Sequence, residues 1–149
     1  MTDPKERYRQ PTLTDTLTHE HLDAALRADA LAAAEWAYFA RIAESEGYPE
    51  AAAALRELAE QHALVTQGHI DLLMRAKEPL TGRKYGDTRQ NLSLAAQFEG
   101  VAELDDHART ARNEGFMDIA SWFESVARLR EAHAARLADV LARLEGGRS

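Results

Sequence analysis

The sequence predicts an all-α fold, a four-helix bundle made of two helical hairpins joined by one long crossover connection. Composition is the first reason. Of 149 residues, 29 are Ala and 18 are Leu against seven Val plus Ile, so helix formers dominate and strand formers are scarce. The second is spacing, because apolar residues recur at helical intervals along four long stretches. The third is punctuation. Turn chemistry gathers around residues 47–49, 78–88 and 115–116, and the middle cluster is the long one.

Each element has its own signals. Residues 1–17 are polar, contain Pro4 and Pro11, and read as an extended arm ahead of a bundle over 18–145. Thr18 suits the N-cap of a first helix running to Glu46, and Gly47 suits its end. Pro49 opens a second helix, which runs to about Lys77 before Pro79. The stretch 78–88 (EPLTGRKYGDT) forms the crossover. Asp87 followed by Gln90 resembles a capping box that opens a third helix from Thr88 to Glu114, where Gly115 stops it. A fourth helix spans Met117 to Leu144, and residues 146–149 form a short tail.

Charge and cysteine content exclude several functions. A net charge of −7 argues against a nucleic-acid partner, which needs a clustered basic surface. The absence of cysteine removes disulfides, thiolate metal sites and iron–sulfur clusters. No apolar run has the length of a membrane helix and no signal-peptide pattern opens the chain, so a soluble cytoplasmic protein is expected.

The two halves look duplicated. At an offset of 68, Ala40–Ala59 aligned on Ala108–Ala127 matches Ala40/Ala108, Arg41/Arg109, Ala43/Ala111, Glu46/Glu114, Gly47/Gly115, Ala52/Ala120 and Ala59/Ala127. Two hairpins related by a pseudo-twofold axis follow from that repeat.

Apolar seams place the core and show what interrupts it. Helix one presents Leu22, Leu26, Asp29, Ala33, Trp36, Ala40 and Ala43. Helix two presents Leu55, Leu58, His62, Val65, His69 and Leu72. Helix three presents Leu94, Phe98, Val101, Leu104, Ala108 and Ala111, with Glu99 at the border. Helix four presents Ile119, Trp122, Val126, Leu129, His133, Leu137, Val140 and Leu144. Counted back to the turns at ~1.5 Å per residue, Asp29, His62, Glu99 and His133 all fall roughly 22–27 Å from one end. One polar residue per helix at one level is a metal-site pattern in a bundle. Unsatisfied, such groups cost several kcal/mol or change protonation, so something must compensate them.

Particular stretches resemble a known family. Asp29-Ala-Leu-Ala-Ala-Ala-Glu-Trp-Ala-Tyr-Phe-Ala and Ala43-Glu-Ser-Glu-Gly-Tyr-Pro-Glu-Ala-Ala resemble the first half of a rubrerythrin, a ferritin-like diiron protein. Asn91-Leu-Ser-Leu-Ala-Ala and Glu114-Gly-Phe-Met-Asp-Ile-Ala resemble its second half, so the similarity spans about 20–145. The family's pattern implies a Glu on helix one, Glu-x-x-His on helices two and four, and two Glu on helix three. Here those positions hold Asp29, His62 and Val65, Ala96 and Glu99, and Arg130 and His133. Only Glu99 and His133 keep the residue type, and Arg130 brings a permanent cation where an anion would stand. The usual diiron centre and its peroxidase activity are therefore not expected.

Two readings follow. In one, Asp29, His62, Glu99 and His133 bind a single divalent metal (iron, manganese or zinc), with peroxide- or dioxygen-linked oxidoreduction as the activity that the resemblance implies. With no cysteine for a rubredoxin-type centre, electrons would come from another donor. In the alternative, Arg130 replaces the metal charge by pairing with Asp29 or Glu99, the histidines are neutral, and the protein is a metal-free, non-catalytic scaffold or binding module. A homodimer is expected under either, from the long alanine-rich helices and the resemblance. Other polar residues carry blander expectations. His19 and His21 read as surface residues, and His69, about 10 Å along the seam from His62, as a satisfied core or interface histidine. Glu103 and His107 extend a ladder from Glu99, and Gly100 beside Glu99 offers a local bulge that re-aims that side chain.

Overall fold

The computed structural model describes residues 12–147. Among them every regular element is a helix, an all-α architecture compatible with a ferritin-like four-helix bundle. Most of the expected arm, residues 1–11, and the tail end, residues 148–149, lie outside the described residues. The chain divides into two compact units, Met1–Pro79 and Leu80–Ser149.

The first unit is a hairpin of α1 (Leu17–Ser45) packed on α2 (Pro49–Leu73). The N-cap is Thr16 rather than Thr18. Its hydroxyl donates to the Leu13 carbonyl at 2.7 Å and accepts the His19 N–H at 3.1 Å, which satisfies an otherwise orphaned helical donor. Pro49 occupies the first turn of α2, where its missing N–H costs nothing.

The second unit holds α3 (Thr88–Phe98), α4 (Ala102–Asn113) and α5 (Met117–Glu145), with α5 packed against both others. The capping box read from Asp87 and Gln90 is formed in both directions, at 2.9 Å each way. The third helix expected from Thr88 to Glu114 is two helices. The chain leaves helical geometry over Glu99–Val101, where Gly100 has low helix propensity and Val101 supplies no side-chain cap. Glu99 thus ends α3 instead of riding within a continuous helix.

The duplication is visible atom by atom at the two turns. Gly47 and Gly115 have φ of +85° and +90°, the left-handed conformation glycine adopts without penalty. The next amide closes each turn in the same way, Tyr48 N–H to Ala43 O and Phe116 N–H to Ala111 O, both at 2.8 Å. Glu44 pairs with Arg56 across the first turn and Arg112 with Glu124 across the second. These are equivalent positions at the offset of 68 with the two charges exchanged.

The seam of α1 follows the sequence reading, and that of the α3–α4 segment does so except at Phe98, which is 38% exposed; those of α2 and α5 follow it only in part. On α2 the shielded residues are Ala52, Leu55, Ala59, His62, Thr66, His69, Ile70 and Leu73, while Leu58, Val65 and Leu72 are exposed. On α5 the shielded set includes Ala120, Phe123, Ala127, Arg130, Ala134 and Leu141 together with the expected Val126, Leu137, Val140 and Leu144, while Ile119, Trp122, Leu129 and His133 are exposed. Small side chains let helix backbones approach, so alanines take the contact line and bulkier apolar residues fall beside it. Ala52 and Ala120 are 1% and 0% exposed. Extra methylenes there have no room, so Ala52→Leu and Ala120→Leu are each expected to lower stability by about 1–3 kcal/mol in urea unfolding. A neutral result at either position would mean that the contact line lies elsewhere.

Candidate functional site

Helix periodicity brings three polar residues of the first unit together. Asp29 sits on the inward stripe of α1, and His62 and His69 sit two turns apart on the stripe of α2. His62 Nδ1 lies 2.7 Å from Asp29 Oδ1, and His69 Nε2 lies 2.7 Å from Asp29 Oδ2. All three side chains are partly shielded, at 20–34% exposure. Trp36 lies edge-on to the His62 ring with centroids 6.4 Å apart.

The electrostatics fix the donors. Hydrogen bonds from His69 first, then His62, hold the Asp29 carboxyl below its ordinary pKa, outweighing the opposing effect of burial. Asp29 is therefore ionised at neutral pH and only accepts, so each imidazole donates. His62 is protonated on Nδ1 and keeps Nε2, while His69 is protonated on Nε2 and keeps Nδ1. His69, read from sequence only as a satisfied histidine, is a full partner in this cluster. Its spacing of seven from His62 was the available signal, because both residues then face α1.

The second unit carries a looser pair. Glu99, placed by the α3–α4 break, faces His133 of α5 with Oε2 and Nδ1 3.3 Å apart. Glu99 is 18% exposed and His133 is 47% exposed, so His133 lies at the edge of the seam rather than within it. Arg130, one turn earlier, lays its guanidinium over the Phe98 ring at 4.8 Å. Among the described residues Asp29 pairs with His62 and His69, and Glu99 pairs with His133.

The sequence-derived site residues thus fall into two local groups, Asp29 with His62 and Glu99 with His133. Glu103 lies on the wall of a separate cleft, and His107 stacks near Phe123 with centroids 5.5 Å apart. Among the described residues no group of three or more His, Cys, Asp or Glu side chains is positioned to hold a metal ion.

The helical hairpins and their repeated turns make an all-α protein compatible with a ferritin-like four-helix bundle. Comparison with known proteins narrows this. The chain is similar to the rubrerythrin of Porphyromonas gingivalis, at 29% identity over 154 aligned positions covering 99% of this chain and 77% of that protein. It is also similar to rubrerythrin-1 of Clostridium acetobutylicum, at 27% identity over 145 positions covering 90% and 74% of the two chains. No family model matches the chain. The chain is a rubrerythrin-like, ferritin-like protein.

Asp29 supplies a pH test. Its pKa is lowered by folding, so its stabilisation is fully present above the ordinary carboxylate value near 3.9 and is lost as pH falls through the lower folded value. Asp29→Asn is expected to be less stable than the parent at pH 7, and the gap is expected to narrow as pH falls below about 4. Denaturant unfolding across that range reads the gap, and one that stays constant would show that Asp29 titrates as it does in the unfolded chain.

Proposed function

We propose that this protein is a rubrerythrin-like protein with a reduced metal site. It holds at most one divalent ion (iron, manganese or zinc) per chain rather than a carboxylate-bridged pair of irons. The observation that supports this best is the Asp29 cluster. Its carboxylate oxygens each accept from an imidazole at 2.7 Å, an engagement that competes with bridging two metals. The remaining ligand positions that the resemblance implies hold Val65, Ala96 and Arg130, none of which is a donor to iron. A diiron carboxylate site needs about six ligands, and this donor set does not fit it.

A single ion fits the imidazoles better. His62 and His133 each have Nδ1 facing a carboxylate, which leaves Nε2 for a metal in the arrangement that metal-binding histidines commonly adopt. In this reading Asp29 and Glu99 orient the rings and raise their basicity. His62 in the first unit and His133 in the second would each offer Nε2 as a metal donor. A redox-active ion, once bound, would supply reduction of peroxide or dioxygen, the reaction class that the resemblance implies. Arg130 adds a fixed positive charge that opposes a second cation. Electrons come from a separate donor, since the chain has no cysteine to carry an iron–sulfur or rubredoxin-type centre. The working form is a homodimer, a reading supported by apolar side chains such as Leu31 and Leu64 that stand 59% and 72% exposed.

Metal analysis after anaerobic iron(II) loading and gel filtration tests the stoichiometry. The expected result is no more than one iron per chain, reduced in His62→Ala and in His133→Ala. Two irons per chain would contradict a reduced site. No retained metal under any loading condition would favour the metal-free scaffold.

A further inference from the structure

We propose that a cleft in the second unit, beside the α3–α4 break, binds a small organic monocarboxylate with Arg130 as its charge partner. The cleft has a volume of about 430 Å³, within the range of small-molecule sites. Its walls include Leu80, Thr81, Gln97, Phe98, Val101 and Arg130.

Charge is the main argument. Arg130 is partly buried on the inward stripe of α5, at the position equivalent to His62. Arg27, Arg56, Arg109, Arg112 and Arg143 each have a carboxylate partner, and all of these are surface pairs. Among the described residues no acid pairs with Arg130. A shielded guanidinium without an anion is electrostatically uncompensated.

Shape and chemistry then select the ligand. Phe98 covers one face of the guanidinium and fixes its plane, leaving the edge N–H groups as a fork. That fork matches the two oxygens of a carboxylate. Leu80, Phe98, Val101 and Ala102 offer an apolar surface to an organic body. Gln97 accepts from Arg83 through its amide oxygen at 3.1 Å, so its amide N–H groups remain donors. Glu103 on the same wall opposes additional negative charge, which favours a monoanion over phosphate.

The inference does not depend on any metal, so the test uses the full chain with chelator present. Titration with benzoate, followed by ¹H–¹⁵N NMR, is expected to give saturable shifts at Gly100–Glu103 and at the Arg130 side chain. Benzamide, of the same shape but neutral, is expected to bind at least roughly tenfold more weakly, and so is benzoate to Arg130→Gln. Equal binding of benzamide, tighter binding of phosphate, or undiminished benzoate binding by a folded Arg130→Gln would overturn the proposal. If Arg130→Gln does not fold, the benzoate–benzamide comparison on the parent chain decides alone.

Discussion

One carboxylate accepting from two imidazoles is the constraint on which the first unit's polar interior depends. Asp29 reaches from α1 to two residues two turns apart on α2, so it sets both the register of the hairpin and the tautomer of each ring. The cluster also resolves how polar groups survive on an apolar stripe. Three side chains that would each be costly alone satisfy one another, with the negative charge of the acid matched to two N–H donors. A carboxylate employed in this way is poorly suited to bridging metals, and the functional reading follows from that competition.

The repeat shows how a shared backbone plan tolerates different chemistry. Both turns close with a left-handed glycine and the same amide-to-carbonyl bond, and both hairpins draw their helices together on alanines. Where the plan is structural, residues are kept or exchanged in compensating pairs, as with Glu44–Arg56 and Arg112–Glu124. Where side chains face the interior at mid-helix the halves diverge, with His62 in one and Arg130 in the other. One position thereby serves a hydrogen-bonded imidazole in the first unit and, beside a cleft in the second, a guanidinium that no acid among the described residues pairs with.

Much of the fold was legible because its signals are local. Gly47, Gly115, Pro49 and the Asp87–Gln90 box each act within a few residues, and the structure uses all of them. The break at Gly100 was only partly legible, since one helical glycine costs about as much as tertiary packing readily repays. The seams of α2 and α5 were misjudged in part, for a physical reason. Counting large apolar residues favours Leu58 or Trp122, yet close helix contact favours Ala59 or Ala120, which carry no size signal. Asp29, His62, Glu99 and His133 were singled out because polar residues on apolar stripes need partners. Their groupings were not legible, because hydrogen-bond partners depend on which rotamers reach across, and His69 approaches Asp29 as closely as His62 does.

The imidazole protonation pattern tests the Asp29 cluster most directly. Long-range ¹H–¹⁵N NMR of the metal-free protein near pH 8 reports which ring nitrogen carries the proton. The cluster requires His62 in the Nδ1–H form and His69 in the Nε2–H form, both held by the same carboxylate. His62 in the Nε2–H form, or the rapidly averaged signals of free imidazoles at both residues, would contradict it.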